Sequence, residues 1–129
     1  MLNYEVITMA INKILIVDDT PAQMIAFQGA MPQTNARILT ASSGKSAIDI
    51  AKSELPDIIF MDIVMDETDG YAACRSILED PTTKDIPINF VSTKDQRVDH
   101  MWAERQGGKA LISKPISTEQ IQEQLDKYG

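Results

Sequence analysis

The sequence predicts an α/β fold, a doubly wound five-stranded parallel sheet with helices on both faces. Short apolar runs rich in β-branched residues alternate five times with stretches of helical spacing. The runs are apolar at nearly every position, as expected of strands covered on both sides. The chain has 129 residues, 43% of them hydrophobic and 24% charged. That is the size and composition of one globular domain with a real core.

The elements follow in order. Ile14-Leu15-Ile16-Val17 is the first strand and ends in Asp18-Asp19. Thr20-Pro21 opens a helix, with Pro21 suited to its first turn and Met24, Phe27 and Met31 as core positions. Arg37 to Ala41 is the second strand. Ser42 or Ser43 caps a helix through Ala47, Ile50 and Ala51, which Leu55-Pro56-Asp57 stops. Ile58-Ile59-Phe60-Met61 is the third strand and ends in Asp62. After a loop with Asp69-Gly70, a helix carries Tyr71, Cys74, Ile77 and Leu78 on one stripe, and Asp80-Pro81 breaks it. Ile86 to Val91 is the fourth strand, ending in Ser92-Thr93. Val98, Met101, Trp102 and Arg105 are expected on the inner side of the next helix, which Gly107-Gly108 ends. Ala110-Leu111-Ile112 is the fifth strand, followed by Lys114-Pro115. Ser117 and Gln120 form a capping box for a last helix with Ile121, Leu125 and Tyr128 inward.

The composition also excludes functions. The formal net charge is -7, which disfavours nucleic acid and suits a basic protein partner or a cation site. A lone cysteine, Cys74, cannot build an internal disulfide framework, so a reducing, cytoplasmic setting fits. No apolar run approaches the roughly 18 residues of a membrane span. Met1 to Thr8 lacks a basic start and contains Glu5, unlike a secretory signal. Residues 1–11 are expected to be an N-terminal extension and 12–129 the domain, with Met9 an alternative start of translation.

Parallel α/β sheets bind ligands at the carboxyl ends of their strands. Asp18 and Asp19 stand at the first such end, Asp62 at the third, Ser92 and Thr93 at the fourth and Lys114 beyond the fifth. Three carboxylates so close repel one another unless a cation lies between them. Mg²⁺, a hard ion with oxygen ligands, suits a site that also receives phosphate. Asp62 would be the nucleophile, giving an acyl phosphate, while Lys114 neutralises phosphoryl oxygens and Ser92 donates a hydrogen bond. Any one of these acids alone could merely end a strand or cap a helix; the set at successive strand ends is what points to chemistry.

Together, ILIVDD, PDIIFMDIVM, VST and ALISKP resemble the receiver domain of bacterial two-component systems, from about Asn12 to Lys127. The resemblance implies a CheY-like fold and phosphorylation of Asp62 by a partner histidine kinase. It implies Mg²⁺ held directly by Asp19, Asp62 and the backbone carbonyl of Val64, with Asp18 acting mostly through water. It further implies phosphoryl contact by Lys114, a cis Lys114-Pro115 bond, and output to a protein target through the face of helix 4, strand 5 and helix 5. MDIVM, STKDQ, Trp102 and Arg105-Gln106-Gly107 are also similar to the PilH type of regulator, which belongs to chemotaxis-like control of type IV pili and twitching motility. The chain is expected to be a monomer and to act on no external substrate.

Two positions depart from the family. Leu111 stands three residues before the Lys, where a Tyr or Phe is usual, so the coupling of phosphorylation to output is in question. Asp66-Glu67 replace the usual Pro-Gly of the loop and are expected to be solvated. Other signals are set aside. Gly44-Lys45-Ser46 lacks the Gly that a phosphate-binding loop needs at position 39, where Leu39 stands, so Lys45 reads as a surface residue. His100 has no Cys or His partner at ligand spacing and reads as a helix-surface residue. Cys74 reads as packing. Trp102 reads as half-buried packing more than as a partner anchor. The competing functions are a phosphate sink, a pseudo-receiver adaptor that is never phosphorylated, and an aspartate-nucleophile phosphatase of the haloacid dehalogenase type. The last places its nucleophile at strand one and needs room for a cap domain, which this chain lacks.

Overall fold

The computed structural model describes residues 11–65 and 69–129. The expected extension, residues 1–11, lies outside them except for Ile11, and so do Asp66 and Glu67. The described chain alternates strictly: β1 (Lys13–Val17), α1 (Pro21–Ala30), β2 (Arg37–Ala41), α2 (Gly44–Glu54), β3 (Ile58–Asp62), α3 (Gly70–Glu79), β4 (Ile88–Ser92), α4 (Arg97–Arg105), β5 (Ala110–Ser113) and α5 (Thr118–Tyr128). The strands form one parallel sheet in the order β2-β1-β3-β4-β5.

Alternation along the strands splits the core in two. Ile14, Ile16, Ile58, Phe60, Val91 and Ile112 pack under α1 and α5 against Phe27, Ile121 and Leu125. Leu15, Val17, Ile59, Met61, Ile88 and Phe90 pack under α2, α3 and α4, against small side chains such as Ala47, Ala51, Ala73 and Ala103. Each large apolar side chain so buried stabilises the fold by about 1.5–3 kcal/mol. Small residues on the helices let them lie close to a sheet of bulky ones.

The helix ends are cut locally. Ser43, not Ser42, caps α2, its hydroxyl accepting the Ser46 N–H. Leu55 ends α2 in the left-handed conformation at φ 50°. Asp69 caps α3 by accepting the Ala72 N–H, and Ser117 and Gln120 form the expected capping box. Gly107, at φ 101°, turns the chain after α4.

Two expectations need correction. β4 begins at Ile88, not Ile86. Ile86 is held in a turn by its N–H to the Thr83 carbonyl, and Pro87 has no N–H to give a ladder. The stripe Val98, Met101, Trp102 and Arg105 does not face inward. These four side chains are exposed, and the buried residue of α4 is Ala103. Helical spacing shows which residues share a side, and an alanine was enough to seat α4 on the sheet.

Candidate functional site

From β1 the sheet grows one way to β2 and the other way to β3. The connections therefore part between β1 and β3, and a crevice opens at their carboxyl ends. The register Val17↔Met61 brings Asp18 level with Asp62 across that crevice. Backbone bonds continue just past the strands and hold the site groups: Asp18 N–H to the Ala41 carbonyl, Ile63 to Val91, and Lys114 to Ser92.

Asp18 and Asp62 are buried and Asp19 is partly exposed. One carboxylate oxygen of each lies within 4.8 Å of those of the other two. Asp18 Oδ1 accepts the Thr20 N–H at 2.9 Å, while its Oδ2 meets Lys114 Nζ at 3.1 Å. Lys114 Nζ also lies 3.3 Å from Asp62 Oδ1 and donates to Gln23 Oε1 on α1. The Thr20 hydroxyl donates to Asp19 Oδ1 at 3.4 Å. Burial lifts the Asp62 carboxyl above the usual carboxylate range; Lys114 works against this, and Asp18 and Asp19 add to it.

Three carboxylates against one ammonium leave a formal charge of about −2 in a small crevice, with hard oxygen donors. The donor set and its charge fit a divalent hard cation. The sequence-predicted groups Asp18, Asp19, Asp62 and Lys114 are thus brought together. Val64, whose carbonyl the resemblance assigns to the ion, follows β3 by two residues and its side chain is exposed. Ser92 is buried at the end of β4, its hydroxyl accepting the Lys94 N–H at 3.0 Å, whereas Thr93 is exposed. Lys114-Pro115 is cis, as the resemblance implies.

Two of the clefts bordering this centre include Lys114 or Ser92 in their lining. One of about 320 Å³ lies beside Lys114 and Asp18, walled by Phe27, Val91, Pro115 and Ile116. The other, of about 270 Å³, has Ser92 among its lining, between Ile63, Val64 and Tyr71 on one side and Val98 and Trp102 on the other.

Leu111 is buried in the α2–α4 half of the core with Phe90. The Phe90 ring meets Tyr71 edge-on, with centroids 4.9 Å apart. The aromatic side chains lining the Ser92 cleft therefore come from α3 and α4, Tyr71 and Trp102, and not from β5.

Sequence reasoning missed two supports of the site. Gly70 N–H donates to the Ile63 carbonyl at 2.8 Å, and a Cβ on Gly70 would stand 2.3 Å from the Asp62 carbonyl oxygen. The Asp69-Gly70 pair signalled only a loop. Gln23 had no sequence signal, because α1 and Lys114 meet only in the folded chain.

Comparison with known proteins agrees with this geometry. The family model of the response regulator receiver domain matches residues 14–126. The chain belongs to this family. The receiver is 37% identical over 109 residues to Protein PilH of Pseudomonas aeruginosa, covering 84% of this chain and 90% of that one. It is 34% identical over 104 residues to the response regulator PleD of Caulobacter vibrioides, but spans only 23% of PleD. Among solved structures, the receiver domain of a sensor histidine kinase of Pseudomonas aeruginosa matches with a TM-score of 0.82 at 24% identity, covering 92% of this chain and 98% of that one. That receiver is described with a magnesium ion coordinated in its active-site cleft. No helix among the described residues is long and apolar enough to cross a membrane.

Proposed function

We propose that this receiver accepts a phosphoryl group on Asp62 from a phosphohistidine of a histidine kinase and passes the signal on by protein contact. The convergence of Asp18, Asp19 and Asp62 oxygens with Lys114 is the observation that carries this reading. An Asp62 carboxylate oxygen attacks phosphorus, the P–N bond of the donor breaks, and its electron pair leaves on the imidazole. Lys114 neutralises a phosphoryl oxygen, and Ser92 turns its hydroxyl from acceptor of the Lys94 N–H to donor toward another. Asp18, Asp19, Asp62 and the Val64 carbonyl would hold Mg²⁺, which when bound supplies the remaining positive charge. The chain turns over no external substrate in this reading; its chemistry is its own phosphorylation and dephosphorylation.

The likeness to PilH supports a role in type IV pilus, twitching or chemotaxis-like control. The reading also takes residues 12–129 as the receiver, monomeric and cytoplasmic. Acetyl phosphate with Mg²⁺ tests the chemistry. Wild type should gain one acid-stable, base-labile phosphate, and Asp62→Asn none. Wild type without such a phosphate sinks the mechanism.

Leu111 favours a second reading. Without a ring at that place, accepting phosphate matters more than changing shape, as in a phosphate sink. Adding this protein to a shared kinase should then lower the phosphorylation of a second regulator. No such drop would remove the sink.

A further inference from the structure

A lysine ammonium has three N–H donors and no more. In Lys114 all three have an acceptor: Asp18 Oδ2 at 3.1 Å, Asp62 Oδ1 at 3.3 Å and Gln23 Oε1. Charge-assisted N–H bonds to a carboxylate usually run at about 2.7–2.9 Å. Both ionic contacts of Lys114 are longer, so the ammonium stands off its two carboxylates. Those carboxylates are buried at the ends of β1 and β3, and Asp18 is further fixed by the Thr20 N–H on its Oδ1. Gln23 is exposed and reaches the ammonium from α1.

We propose that Gln23 is a positioning residue of this site: its amide oxygen holds the Lys114 ammonium short of full contact with Asp18 and Asp62 and so leaves their oxygens open to a divalent cation. This deepens the reading of Asp62 as a phosphoryl acceptor, but it concerns the metal first. An ammonium and a cation drawn to the same carboxylates weaken each other's binding. The attraction of Lys114 to two buried carboxylates grows as it approaches them, so a third partner is needed to keep it back. The bond to Gln23 is also the one to a neutral, exposed acceptor. It is therefore the easiest of the three to exchange for a phosphoryl oxygen.

The surroundings leave this task to Gln23. The cleft it shares with Lys114 and Asp18 is walled by Ala26, Phe27, Val91, Pro115 and Ile116. Besides Asp18 and Gln23, Thr93 is the one described lining residue with a side-chain acceptor, and it has no charge to draw the ammonium. Gln23 itself belongs to neither of the two core clusters and does not cap α1, which starts after Thr20. Replacing it therefore removes the bond to Lys114 and leaves the packing of the helix in place.

Calorimetric titration of the full chain with Mg²⁺ alone, without a phosphoryl donor, tests this. Gln23→Leu should weaken Mg²⁺ binding by about tenfold, as the loss of a group that orients a metal site commonly does. Gln23→Glu keeps an acceptor oxygen at the same reach and should bind Mg²⁺ at least as tightly as wild type. In a Lys114→Met background Gln23→Leu should change nothing, because the ammonium through which Gln23 acts is gone. Gln28→Leu, also exposed on α1, should bind as wild type does, and circular dichroism checks that each variant folds. With acetyl phosphate, Gln23→Leu should need about tenfold more Mg²⁺ for its half-maximal rate, with the maximal rate within about twofold of wild type. Wild type that binds no Mg²⁺, equal affinity in wild type and Gln23→Leu, or an equal loss in the Lys114→Met background overturns the proposal. So does a Gln23→Glu as weak as Gln23→Leu, or a lower maximal rate at an unchanged Mg²⁺ requirement. If the binding pattern holds and wild type gains no phosphate, the role of Gln23 stands and the phosphoryl-acceptor reading fails.

Discussion

The Cα of Gly70 lies against the carbonyl of Asp62, so close that a side-chain carbon there would stand 2.3 Å from that oxygen. The start of α3 is thus packed onto the end of β3 with no room between them. Gly70→Ala should push β3 and its aspartate out of line. It should cost about 1–3 kcal/mol of stability and slow phosphorylation by acetyl phosphate by about tenfold or more. Gly29 on α1 is the control, since nothing lies within 4 Å of its would-be Cβ. Gly29→Ala should stabilise by up to about 1 kcal/mol. Equal denaturation midpoints for the two variants would remove the contact argument.

Asp62 should make the metal-free protein sensitive to pH. Its carboxyl is held above 3.8, so the folded chain keeps this proton to higher pH than the unfolded chain does. The stability it contributes is full below 3.8 and is lost as pH rises through the raised folded value. Asp62→Asn should therefore melt a few degrees higher than wild type at pH 7 in EDTA, with the gap closing toward pH 4. Asp19→Asn should also raise the melting temperature at pH 7, by relieving repulsion. Mg²⁺ should stabilise wild type and do less for either variant. Variants that melt at or below wild type at pH 7 would contradict the strained cluster.

Asn89 is a cost in the core. It is fully buried as the second residue of β4, and neither polar atom of its side-chain amide has a hydrogen-bond partner among the described residues. An unsatisfied buried amide costs about 1–3 kcal/mol. Asn89→Leu, close in shape, should raise the urea midpoint by an amount of that order. A lower midpoint would show that the amide is satisfied.

Cys74 should be inert while the chain is folded. Burial pushes its thiol up to about 11, and Sγ donates to the Gln106 carbonyl at 3.4 Å. Iodoacetamide at pH 8 should leave native protein unmodified and label it rapidly in urea. Fast native labelling would refute this placement.

Much of the site was legible because its groups stand where apolar runs stop. A run such as Ile58 to Met61 marks a covered strand, and the first acid after it must stand at the strand's end. Parallel pairing then brings the successive ends to one edge. Tyr71 was legible as part of an apolar stripe, but not as the ring against Phe90, because α3 and β4 meet only across the folded core.

By itself the sequence determined the fold class, the order of elements, the capping residues Asp69 and Ser117 as turn or cap signals, and the acids and lysine at the strand ends. These follow from local spacing, which strands and helices impose on every chain. Tertiary structure alone decided which side of α4 is covered, that Gly70 abuts Asp62, and that Gln23 reaches Lys114. A helical stripe states which residues lie together, but what covers them is chosen by elements far along the chain. In α4, Ala103 lies against the sheet, and Val98, Met101 and Trp102 are left to the solvent.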